Sequence, residues 1–139
     1  MIDKYNKIKL TDFGLSKYYQ TSEEGTYEMT GNTGTLRYMP PEVFLNRKYD
    51  LSVDIYSLGL IMYYLITSEQ PFLHNKAENM TTYFEMDDIV FSTQKVKNKV
   101  LRTIINKCID KTPANRFNIN DLYEYWALHS TRKEYCLIS

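Results

Sequence analysis

The spacing of apolar positions divides the chain into a loop-rich first third and a helical remainder. From Ser52 onward Ile55, Leu58, Gly59, Leu60, Ile61, Met62, Leu65 and Ile66 follow with few polar breaks. They predict a helix to about Thr67, capped by Ser52 and apolar almost all round, of the kind that sits at the centre of a domain. Val96, Val100, Leu101, Ile104, Ile105, Cys108 and Ile109 recur at the three-to-four spacing of one buried stripe, predicting a helix from Val96 to Ile109. A third helix fits Ile119 to His129, with Ile119, Leu122, Tyr123 and Trp126 on one face and Asn118 as its cap. Lys111-Thr112-Pro113 reads as the turn between them. Ala77 to Glu85 also admits a helix, although Asn, Thr and Asp are frequent around it.

The first third reads differently. Ile8 and Leu10 flank Lys9, and Asp3 to Asn6 supply turn chemistry, so residues 1–11 predict a short β-hairpin. Residues 15–41 show little periodicity and many Thr, Ser, Gly and Glu; a loop this long inside a compact domain is usually functional.

Composition narrows the classes. At 139 residues the chain makes one small domain, and an apolar share of 43% supplies a core. Seventeen basic and 17 acidic residues balance to zero, against nucleic-acid or membrane binding through bulk charge. Two cysteines exclude a disulfide framework and a Cys-based zinc site, and His74 and His129 leave little for a His-dependent triad. The opening Met1-Ile2-Asp3-Lys4 has no apolar h-region, and Leu58 to Ile66 is about half the ~20 residues of a membrane span. The expected compartment is the cytosol or nucleus.

Several short motifs stand in order. Asp12-Phe13-Gly14 follows the predicted strand Lys7 to Thr11. Gly34-Thr35-Leu36-Arg37-Tyr38-Met39-Pro40-Pro41-Glu42 comes next, then Asp54-Ile55-Tyr56-Ser57-Leu58-Gly59, Pro71-Phe72, Arg116 and Trp126. Any one is weak; the ordered set resembles the C-terminal half of a eukaryotic-type protein kinase domain, from just after its catalytic loop, over about residues 1–128. Gly34-Thr35 points to the Ser/Thr type. Pro40-Pro41-Glu42 stands where the family has Ala-Pro-Glu.

The resemblance implies a mainly α, partial kinase-like fold. A hairpin occupies 1–11, an activation segment 12–42 and a helical subdomain 43–130, with 131–139 as a tail. It implies that Asp12, with Phe13 and Gly14, belongs to an ATP site where Asp12 holds Mg²⁺ against the phosphates. Thr35 becomes an accessory residue in the substrate-proximal loop. Glu42 and Arg116 become a buried structural ion pair. Asp54 either accepts backbone N–H bonds at the head of the central helix or simply favours the helix dipole. Thr26, Thr30 and Thr33 lead the candidate phosphosites of the activation segment.

Other expected parts do not occur. The chain contains no Gly-rich loop, no strand Lys with its helix Glu and no His-Arg-Asp catalytic loop. The expectation is a kinase fragment that is not catalytic alone and acts on or with other proteins. The rival reading is a dead lobe serving as a binding or decoy module. The terminal Cys136-Leu137-Ile138-Ser139 fits a farnesylation box, implying weak membrane association, or is an ordinary tail.

Overall fold

The computed structural model describes residues 1–14, 36–72, 77–86 and 90–130. Among the described residues five α-helices succeed one another: α1 Pro41–Phe44, α2 Ser52–Thr67, α3 Ala77–Glu85, α4 Lys99–Cys108 and α5 Ile119–His129. A 3₁₀ turn, Pro113–Asn115, links the last two.

Each boundary has a local cause. Pro41 opens α1 at the first helical position, where its missing N–H is no loss. The cap of α2 is Leu51, not Ser52. Asp50 Oδ1 instead accepts from the Ser52 amide at 2.8 Å, and hydrogen bonding by the Ser52 side chain, then by its amide, holds the Asp50 carboxyl below its usual range. At its far end Ser68 takes a left-handed backbone, φ 57°, and stops the helix. Helix α4 starts at Lys99 rather than Val96, because Asn98 accepts from the Leu101 amide and caps it. Val96 lies before the cap, fully buried, its carbonyl held by Arg102 Nε at 2.7 Å. Asn118 and Asp121 form a reciprocal capping box at the head of α5.

The core is the contact of α2 with α4. Tyr56, Leu60 and Tyr63 join Ile104, Ile105 and Cys108 in one cluster, and α5 packs on α4 with Leu122, Tyr125 and Trp126 against that cluster. Burial of each large aliphatic side chain stabilises by about 1.5–3 kcal/mol. Gly59 permits the approach: a Cβ there would stand 2.6 Å from Cys108 Cβ and 2.7 Å from Ile109 Cγ2. Burial raises the Cys108 thiol to about 12. Beside this contact lies an aromatic floor in which the Phe72 ring meets Tyr83 and Phe91 edge-on at 5.0 and 4.9 Å.

Two further expectations need correction. The segment 1–11 forms a turn with one antiparallel bridge, Ile2 to Ile8, and no strand occurs among the described residues. Asp3 Oδ1 accepts from the Tyr5 and Lys7 amides and makes the turn, while Ile2, Ile8 and Leu10 remain exposed. A two-stranded ribbon without an apolar cover is marginal. Helix α2 is also not buried all round, since Leu58, Ile61, Tyr64, Leu65 and Ile66 are exposed. Its inward face is the one that α4 covers.

Candidate functional site

The best-built polar feature lies where α1, the head of α2 and the 3₁₀ turn meet. Glu42 sits in the first turn of α1, where a carboxylate suits the helix dipole. Arg116 follows the 3₁₀ turn in extended backbone, which carries its side chain back beneath α2. The two groups meet as a fork: Nη1 donates to Glu42 Oε1 at 2.6 Å and Nη2 to Oε2 at 2.7 Å. Nε donates to the Asp110 carbonyl at 2.8 Å, and Nη1 also reaches the Ser52 carbonyl at 3.2 Å. The guanidinium stacks over the Tyr56 ring at 4.9 Å, and burial pushes the Tyr56 hydroxyl well above its ordinary range.

Both charges are buried, so their desolvation costs several kcal/mol and only full hydrogen bonding offsets it. The bidentate geometry supplies that bonding. Among the described residues no buried side-chain polar atom lacks a partner. The arrangement can do no chemistry. It fastens residues 36–42 to the helices.

Those residues form a ledge with two further attachments. Ser57 Oγ, on α2, donates to the Tyr38 carbonyl at 2.9 Å. Arg37 Nη1 donates to the Phe72 carbonyl and lies 3.5 Å from the Pro71 carbonyl. Burial, with Tyr64 adding to it, raises the Tyr38 hydroxyl. Arg37 and Ser57 stand in the quoted motifs, but the sequence assigns neither a role, because each serves a carbonyl far along the chain and leaves no periodic signal. Gly59 stood within a recognised motif, but its role as a contact point needed the α2–α4 crossing.

The remaining candidates are differently placed. Asp12 is exposed, at φ 65°, and Phe13 beside it is exposed too. Among the described residues no three His, Cys, Asp or Glu side chains converge as a metal site. Mg²⁺ in nucleotide sites takes one or two carboxylates plus phosphate oxygens and water. Asp12 would supply one such carboxylate, with the remaining ligands coming from phosphate oxygens and water. Asp54 stands exposed in the first turn of α2. Thr26, Thr30, Thr33, Thr35 and Cys136 lie outside the described residues.

This helical arrangement and its ordered motifs have counterparts. Residues 1–126 match the protein kinase domain family, and the chain belongs to that family. The serine/threonine-protein kinase VIK of Arabidopsis thaliana is 34% identical over 116 residues, 83% of this chain and 26% of that protein. The dual specificity protein kinase shkC of Dictyostelium discoideum is 28% identical over 88% of this chain and 24% of that protein. The chain thus spans about a quarter of these relatives. The twitchin kinase region from C. elegans shares the fold with a TM-score of 0.75 at 21% identity, over 93% of this chain and 22% of that one. No helix among the described residues is long and apolar enough to cross a membrane.

Proposed function

We propose that these 139 residues are the helical, polypeptide-facing half of a Ser/Thr-type protein kinase domain and that alone they transfer no phosphate. The observation that carries this reading is a contrast within one chain. The ledge of residues 36–42 is fastened by the buried Glu42–Arg116 fork, while Asp12 stands exposed to solvent. Phosphoryl transfer depends on positioning and electrostatic stabilisation by many groups together. A catalytic base and a phosphate-binding Lys motif are missing from the sequence. On this reading Asp12, Phe13 and Gly14 keep the place of the family's metal-binding turn, and Thr35 that of its substrate-proximal threonine. ATP and Mg²⁺ would be handled only with the rest of a kinase domain beside them. The candidate phosphosites Thr26, Thr30 and Thr33 and the lipid site Cys136 remain open to mass spectrometry of the cellular protein.

A second reading, a protein-binding or decoy module, is favoured by the exposed Leu58, Ile61 and Leu65 on α2, an apolar patch of the kind partners cover. A thermal shift with Mg²⁺-ATP tests the main reading. Ligand bound only by the fold raises stability by RT ln(1 + [L]/Kd), about 2.7 kcal/mol at a hundredfold excess over Kd. The expected result is no shift at millimolar Mg²⁺-ATP and no phosphate incorporated into a general protein substrate. A saturable shift abolished by Asp12→Ala would overturn it.

A further inference from the structure

We propose that Arg37 is the residue that locks the ledge to the Pro71–Phe72 turn, so that the ledge and the aromatic floor order as one unit. The inference concerns how the ledge is held and does not depend on phosphate transfer by the chain.

Three observations carry it. The first is the link itself: a charged donor, Arg37 Nη1, serves the Phe72 carbonyl and lies at the edge of reach of the Pro71 carbonyl. Hydrogen bonds from a charged donor are roughly twice as strong as neutral ones. The second is the backbone at Phe72, whose φ is 54°. A residue with a large side chain keeps a left-handed conformation only where its surroundings over-determine it. Here its buried ring is held by Tyr83, Phe84 and Phe91, and its carbonyl by Arg37. The third is the position of Arg37 in its own segment. The next residue, Tyr38, is held through its carbonyl by Ser57 on α2, and Met39 closes a turn by donating to the Leu36 carbonyl at 3.2 Å.

The ledge therefore has three side-chain attachments: Arg116 to Glu42, Ser57 to Tyr38, and Arg37 to the turn. Arg116 and Ser57 tie it to the region of α1, α2 and the 3₁₀ turn. Arg37 alone among the three ties it to the turn that carries Phe72. Removing that tie leaves the left-handed backbone without its carbonyl partner, and the Phe72 ring must shift with its peptide.

The chemistry of the link sets a specific signature. Both carbonyls face one nitrogen, so a point charge suffices and a lysine can serve, in contrast to the two-pronged Arg116 site. The test uses the full chain carrying Arg37→Met or Arg37→Lys, followed by NMR. In Arg37→Met the Phe72 ¹³Cα and ¹³Cβ shifts should leave positive-φ values, and the Met39 amide should exchange at least about tenfold faster. The Ile109 amide, bonded to the Ile105 carbonyl, should change less than about twofold. Arg37→Lys should restore most of both signals. Unchanged Phe72 shifts in Arg37→Met, or a lysine variant as damaged as the methionine one, would overturn the proposal. Should Arg37→Met not fold, native-state exchange of the unaltered chain decides instead. The Met39 amide and the α3 amides of Tyr83 and Phe84 should open with one common free energy, and separate openings would refute the lock.

Discussion

The N-terminal segment and the α2–α4 contact use the same kinds of side chain to opposite effect. Ile8 and Leu10 are 82% and 84% exposed, whereas Leu60, Ile104 and Ile105 are wholly buried. Near Ile8 and Leu10 the backbone makes one bridge around an Asp3 turn, and no described element packs over them. On α2 and α4 the same residue types recur at helical spacing, and Gly59 lets the two helices close on each other. Apolar content alone therefore does not make a core; a second surface with matching spacing does. The comparison also separates two kinds of motif residue. Glu42 and Arg116 belong to the packed region and are fully bonded, while Asp12 belongs to the exposed one and is not.

The largest expected effect breaks the packed side. Glu42→Gln or Arg116→Met leaves one buried charge without its partner, and each should cost about 3–5 kcal/mol in urea unfolding. Arg116→Lys should also damage, because an ammonium cannot reproduce the fork. The double variant should lose less than the sum of the single ones. Strict additivity would mean that the two groups do not act as a pair.

Next in size is Gly59→Ala. Its Cβ would meet Cys108 Cβ at 2.6 Å, so α2 and α4 must separate, and overpacking of this kind costs about 1–3 kcal/mol. A melting temperature equal to that of the unaltered chain would show that the crossing is looser than described.

Alkaline pH sharpens the same contrast. The Cys108 thiol ordinarily titrates near 9, and burial holds it to about 12 in the fold; the Tyr83 hydroxyl moves from near 10 to about 12 for the same reason. The folded state thus keeps protons that the unfolded chain releases, and stability falls as pH rises. The contribution of Cys108 is complete below pH 9 and is lost between about 9 and 12, at about 1 kcal/mol per pH unit. Cys108→Ala should remove the portion of the decline that begins near pH 9. The smallest effect is on the exposed side: Leu10→Ser should change stability by less than about 0.5 kcal/mol, since it removes no packing.

The helical parts were the more legible ones. Ser52–Thr67 and Ile119–His129 follow directly from apolar spacing; Asn118 caps the latter as its side chain suggests, whereas Leu51, not Ser52, precedes the former as its cap. The start of α4 was misplaced by three residues because Val96 continues the apolar stripe, yet Asn98 behind it is the better cap. Periodicity reports the apolar faces of α2 but not how many of them a neighbour covers, so its exposed Leu58, Ile61 and Leu65 were beyond reach. The hairpin failed on the same point, as alternation of Ile8 and Leu10 says nothing of a covering layer. Glu42 and Arg116, 74 positions apart, are joined by no local pattern, and only the order of motifs along the chain links them. Arg37 and Pro71-Phe72 also stand in that order, but a bond to main-chain carbonyls leaves no side-chain signature at the acceptor.

Amide hydrogen exchange along the 139-residue chain tests the contrast most directly. Residues 55–66 and 100–109 should open with free energies near that of global unfolding, while residues 2–13 exchange close to the unprotected rate. Equal protection of residues 2–13 and of α2 would contradict the account, because it would require a packed cover over Ile8 and Leu10 that the described residues do not supply.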